Sequence, residues 1–165
     1  MNIIVAVDNH LGIGKDNHLL VSIPADMRFF REVTTSGVVI AGRKTMESLP
    51  GGQPLKDRTN IVLTRQKDYS LPGAIVAHSV EEVFEKIKEL DVPTDKIFVI
   101  GGESVYRQFL PFCEEIHMTK IDFVYEADAH FPDIFSMNEW KLVEESEEQT
   151  YYDLEYVFLH YRKMG

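Results

Sequence analysis

Cysteine is almost missing from this sequence. Cys113 is the only one in 165 residues. One thiol builds no internal disulfide framework, and such scarcity fits a reducing cytoplasm. Long apolar runs are missing too. None approaches the roughly 18 residues of a membrane span. The opening MNIIVAVDNH is too short, and too poor in basic residues, for a secretory leader. No Cys/His cluster has zinc spacing, and the six histidines stand singly, so no metal is expected. Positive charge is in short supply: 17 Lys and Arg face 27 Asp and Glu, for a net charge of −10. That balance argues against nucleic acid as a partner.

What is present suits one globular domain over residues 1–165, with 44% hydrophobic residues and enough chain to bury a core. No large exposed apolar stripe is evident, so a monomer is the default expectation. The charge is unevenly spread. Residues 139–155 hold seven acids and one base, Lys141, which reads as a solvated face. Residues 43–67 are the reverse: Arg43, Lys44, Lys56, Arg58, Arg65 and Lys67 face only Glu47 and Asp57. A basic island in an acidic protein suggests a small anionic ligand.

Apolar periodicity predicts the elements. NIIVAV (2–7), VVIA (38–41), NIVLT (60–64), AIVA (74–77) and KIFVI (96–100) read as short buried strands. A long loop is expected between residues 8 and 22. Helices are predicted from Pro24 to about Ser36, over KTMESL, over SVEEVFEKIKEL with its apolar 3.6-residue period, and over ESVYRQFL. EIHMTKID, WKLVEESEE and YVFLHYRK then read as strands with few helices between them. The fold class is α/β: a central, mostly parallel sheet, helices on both faces, and an antiparallel C-terminal hairpin at one edge.

Ligands of such sheets sit at the carboxyl ends of the strands. Past VVIA comes Gly42-Arg43-Lys44-Thr45, and past KIFVI comes Gly101-Gly102-Glu103-Ser104. Each is a glycine turn opening a helix, where free amides and the helix dipole favour an anion. Two such turns, one beside Arg43 and Lys44, suggest a pyrophosphate between helix starts. Thr64-Arg65 follows a third strand, where a basic residue accommodates a 2′-phosphate. Two near-motifs fail. Gly12-Ile13-Gly14 lacks the third glycine of the dinucleotide fingerprint, Asn17 standing in its place. In the stretch Gly37 to Thr45, Arg43 stands where a phosphate-binding loop needs lysine.

Asp26, in IPADMRFF, has two readings. Pro24 suits a first helical position, Ser22 an N-cap, and an acid in the first turn complements the dipole. The other reading makes Asp26 a carboxylate set into an apolar wall formed by Met27 and Phe30.

The chain resembles the dihydrofolate reductase family from end to end. IVAVDNHLGIGKDNHL, IPADMRFF, GRKTMES, DRTNIVLTR, IGGESVY and ADAHFP carry the resemblance, in order and spacing. It implies NADPH-dependent reduction of dihydrofolate. Asp26 then matches the acid that binds the pterin 2-amino group and N3, with Thr119 behind it. Ile4, Val5, Ala6, Leu19, Met27, Phe30, Leu49, Ile100 and Tyr106 match the substrate pocket, and Arg58 the arginine for the glutamate α-carboxylate. The matches to the cofactor site are Ala6, Ile13, Gly14, Gly42, Arg43, Lys44, Thr45, Leu63, Thr64, Arg65, His78, Gly101, Gly102, Glu103, Ser104, Val105 and Tyr106. The family has a cis Gly–Gly peptide in the second turn. Leu19 matches the mobile loop over the nicotinamide. One departure matters: the family's Leu-Pro-Trp reads Leu19-Leu20-Val21 here, and valine has no donor to hold a water near the acid. Ala127 also replaces a glycine found in some bacterial relatives.

The resemblance places Asp26 in its second reading, as the group that orients the pterin and favours protonation of N5. Two rivals remain at this point. One is a pyrimidine reductase of riboflavin synthesis, which would need a phosphoribosyl site instead of Arg58. The other is a non-catalytic NADP-binding module.

Overall fold

The computed structural model describes residues 1–165. The strands are β1 (Asn2–Val7), β2 (Gly12–Lys15), β3 (His18–Leu19), β4 (Val38–Gly42), β5 (Thr59–Leu63), β6 (Ala74–Ala77), β7 (Ile97–Gly101), β8 (Glu115–Ile121), β9 (Ala129–His130), β10 (Trp140–Glu145), β11 (Gln149–Tyr151) and β12 (Leu154–Lys163). Four α-helices accompany them: α1 (Pro24–Thr34), α2 (Arg43–Glu47), α3 (Val80–Leu90) and α4 (Glu103–Phe109).

Nine strands form one sheet in the order β10-β12-β8-β1-β7-β4-β5-β6, with β11 also on β12. From β8 to β6 every neighbouring pair is parallel, and the pairings of β12 with β8, β10 and β11 are antiparallel. The expected C-terminal hairpin is present. Within that hairpin β10 is the edge strand, since β12 lies between it and β8.

Alternation along the strands sends side chains to two cores. Ile3, Val5 and Val7, with Val38, Ile40 and Val99, join Val83 of α3 and Phe109 of α4. Ile4, Val39 and Phe98 face the other way, against Phe29, Phe30 and Val33 of α1. Near-continuous apolar runs such as VVIA follow from burial on both faces.

The predicted strands and helices are found within a residue or two of their limits, except that WKLVEESEE stops as a strand at Glu145 and is followed by β11, which no pattern predicted. Two further expectations change. The segment taken as a long loop contains β2 and β3, which form a small antiparallel sheet with β9. And α1 ends at Thr34, with Ile23, not Ser22, at its N-cap and no side-chain cap. Pro24 at the first position leaves one amide fewer to satisfy. By contrast, Ser79 caps α3 by accepting from the Glu82 amide.

Gly37, buried between α1 and β4, shows how tightly the layers meet. A Cβ there would lie 2.5 Å from the Lys96 carbonyl oxygen. Backbone on backbone cannot yield cheaply, so Gly37→Ala should destabilise the fold by about 1–3 kcal/mol, as overpacking does. Urea unfolding measures it. An unchanged midpoint would show that this approach relaxes freely.

Candidate active site

Asp26 stands in the first turn of α1, half-buried, and its Oδ1 accepts a hydrogen bond from the Thr119 hydroxyl at 2.6 Å. Burial raises its carboxyl pKa above the ordinary 3.8, and the Thr119 bond offsets part of that rise. Thr119 is buried on β8, directly across from Ala6 on β1. Tyr106 on α4 donates its hydroxyl to the Ile4 carbonyl at 2.9 Å, and burial pushes its own pKa up, with the Asp26 charge adding to the effect.

The apolar wall beside the acid is built from two layers. Phe30, four residues after Asp26 and so on its face of the helix, packs with Ile4 and Ile100. Leu49 packs with Met46 and Val62, again against Ile100. Met27 does not join this wall. It is 41% exposed, because one residue along a helix turns a side chain about 100° away. Leu55, which no motif singled out, packs instead against the same Ile4, Val39 and Phe98 cluster as Phe30.

Arg58 lies past the far end of the wall. Its Nε donates to the Lys56 carbonyl at 2.8 Å and a terminal nitrogen donates to the Thr34 hydroxyl at 3.1 Å. Its pKa falls below the usual arginine value through burial first; the Asp57 charge opposes the fall, and the positive charge of Arg31 adds a smaller push the same way as burial. Arg31 was another residue without a sequence signal beyond its charge.

A cleft of about 820 Å³ opens at the carboxyl ends of β1, β4, β5 and β7. All seventeen residues matched to the cofactor site line it, from Ala6, Ile13 and Gly14 through Gly42–Thr45, Leu63–Arg65 and His78 to Gly101–Tyr106. Val5, Leu19 and Ile100 of the substrate set line it as well, together with Asn17, His18, Asp128 and Ala129, which lie in the recognised motifs without an assigned role, and Gln108, which lies in none. The two glycine turns meet here. A Cβ on Gly102 would sit 3.1 Å from the Thr45 hydroxyl and one on Gly42 would sit 3.2 Å from Val105. Neither turn caps its helix with a side chain, so the first amides of α2 and α4 keep their donors. The Gly101–Gly102 peptide is cis. At the third turn, His78 Nδ1 donates to the Thr64 carbonyl at 2.9 Å and fixes Thr64-Arg65 against the end of β6. Arg43 pairs with Glu47 at 2.8 Å. This donor set, amides and guanidinium groups around a narrow backbone cradle, fits a pyridine dinucleotide with a 2′-phosphate.

Buried Asp8 organises the loop that borders the cleft. Its carboxylate accepts from the amides of His10 and Gly12, both at 2.8 Å, and of Tyr125 at 2.9 Å. Gly12 has no room for a Cβ, which would meet Asp8 Oδ2 and the Ala127 methyl at 2.8 Å each. Further along, Leu19 is 61% exposed at the cleft, and Val21 packs on buried Ile23, Ile121 and Tyr156. An indole at Val21 would add bulk against these side chains, and Leu20 lacks the ring that would set the chain's path. Val21→Trp should therefore cost about 1–3 kcal/mol, read by urea unfolding. A more stable and faster enzyme would show this loop to be misread.

Three comparisons bear on this geometry. The family model described as dihydrofolate reductase matches residues 1–163. Dihydrofolate reductase of Bacillus subtilis (strain 168) is 38% identical, over 99% of this chain and 94% of its own. That of Haemophilus influenzae is 36% identical, over 96% of each. Among solved structures, dihydrofolate reductase from Enterococcus faecalis, complexed with NADP(H) and RAB-propyl, superposes with a TM-score of 0.84 at 32% identity, covering 98% of this chain and 95% of that one. Sequence, length and fold agree, and the chain belongs to the dihydrofolate reductase family.

Proposed function

We propose that this protein reduces 7,8-dihydrofolate to 5,6,7,8-tetrahydrofolate with NADPH. The observation that carries the reading is the half-buried Asp26, tethered to Thr119 where an apolar wall meets the dinucleotide cleft. Bound in that cleft, NADPH supplies a hydride to pterin C6. The residues of the chain do the rest.

Asp26 binds the pterin 2-amino group and N3, which sets the ring's orientation and favours protonation of N5. Its raised pKa lets it hold a proton nearer neutrality than a free aspartate does. Thr119 fixes the carboxylate's rotamer. Val21, where relatives have an indole that helps hold a water near the acid, has no donor, so a water beside Asp26 is left to Thr119 and backbone groups. Ile4, Phe30, Leu49 and Ile100 exclude water from the ring. Arg58 takes the α-carboxylate of the glutamate tail, a bidentate task suited to guanidinium. Arg43, Lys44, Thr45 and the turn from Gly101 to Ser104 hold the pyrophosphate, and Thr64 with Arg65 the 2′-phosphate.

The sheet that runs from residue 2 to residue 163 supports one domain over 1–165, working as a monomer. No helix is long and apolar enough to cross a membrane, and the lone Cys113 is buried and unpaired, which supports a cytoplasmic enzyme. Loss of NADPH absorbance on adding dihydrofolate tests the activity. Turnover of a phosphoribosylated pyrimidine instead, or no turnover at all, would overturn it.

A further inference from the structure

Asn60 sits in β5 between Thr59 and Ile61, only 2% exposed. A buried amide in an apolar strand is costly unless its bonds are met. All of its partners lie in one short segment. Its Oδ1 accepts from the Leu55 amide at 2.9 Å. Its Nδ2 donates to the Leu55 carbonyl at 2.9 Å and to the Arg58 carbonyl at 3.0 Å. The segment so clamped contains Asp57 in the left-handed region, at φ 61°, which a non-glycine residue adopts only when its surroundings hold it there.

This segment carries both Leu55, part of the apolar wall, and Arg58. No carboxylate lies within ion-pair distance of Arg58. Two of its five N–H donors are bound, to Lys56 and Thr34, which leaves three for an anion. The Arg58 backbone is fixed from below by Asn60 and its head from the side by Thr34, whose hydroxyl in turn donates to the Phe30 carbonyl at 2.8 Å. We propose that Asn60 is a positioning residue for substrate selection. By pinning residues 55–58 it aims the guanidinium so that the glutamate carboxylate is gripped by two bonds at once. Asn60 touches no substrate, and the inference rests on the reading of Arg58 given above.

The test compares dihydrofolate with 7,8-dihydropteroate, which has the same pterin and aminobenzoyl groups but no glutamate. The unmodified enzyme should favour dihydrofolate in kcat/KM. Asn60→Ala should shrink that ratio about tenfold or more, a misplacement effect, through a higher KM for dihydrofolate with kcat little changed. Asn60→Asp keeps the size and the bond from the Leu55 amide but loses both donated bonds, and gives the same direction should the alanine variant fold poorly. In an Arg58→Ala background, either change should leave the ratio where it was. Equal losses for both substrates would reduce Asn60 to a purely structural residue and overturn the inference, as would an unmoved ratio. An unmodified enzyme that does not distinguish the substrates would remove the Arg58 reading itself, and the inference with it.

Discussion

Asp26→Asn is expected to lower turnover by about 10²-fold or more near neutral pH, the range for a lost acid–base group. The amide keeps the size and still bonds Thr119, so the fold survives. It holds no exchangeable charge for the pterin. The pH dependence identifies the group. The folded pKa of Asp26 lies above 3.8, through burial first and against the Thr119 bond. The protonated fraction therefore drops as pH rises through that raised value, and the rate at saturating NADPH should drop with it. The Asp26→Asn protein should lack this limb. Stability falls with rising pH for the same reason. With its pKa raised on folding, Asp26 favours the folded state fully below about 3.8 and loses that contribution as pH climbs through the folded pKa. The asparagine variant should hence gain stability relative to the unmodified protein at neutral pH, and the gain should vanish in acid. Unchanged activity across pH 6–9 would sink the role.

NADPH should be preferred over NADH by about 10²-fold or more, since charge-assisted bonds to a phosphate contribute about 1.5–3 kcal/mol each. Arg65 is exposed just past β5, and Arg43 opens α2 while paired with Glu47. Arg65→Gln should erase most of the preference while use of NADH alters little, and adding Arg43→Gln should weaken the use of both cofactors through the shared pyrophosphate. Because Arg65 is exposed, salt should narrow the preference in the unmodified protein as well. Kinetics with both cofactors at two ionic strengths decide the matter, and equal use of the two by the unmodified enzyme would defeat the claim.

Legibility in the sequence followed burial. VVIA and KIFVI are apolar on both sides and announce themselves as interior strands. The turns after them could be found because glycine followed by a helix start is a local pattern. GIGK, HL and AH, by contrast, are two to four residues long, and GIGK includes two glycines and a charge. No period develops over such lengths, so the small sheet beside the cleft stayed hidden. Side-chain direction was the second gap. Asp26 and Met27 are neighbours in sequence, yet the helix turns one toward Thr119 and the other toward solvent. The third was long-range support. Asn60 reads as the polar start of NIVLT, and Asp8 as a loop acid. Only the folded chain brings to Asp8 the Tyr125 amide, and to Asn60 the bend at residues 55–58.

The parallel placement of β1 has a consequence for how the protein is made. Asn2 aligns with Phe98 of β7 on one side and with Glu115 of β8 on the other. β1, made before either neighbour, thus waits for both until well past residue 90. At roughly 5–20 residues per second, NIIVAV spends several seconds as an apolar segment with two open edges. Its folding is governed by distant closures rather than local ones, which slows it. In a crowded cell, that interval is when the newborn chain most needs a chaperone's cover.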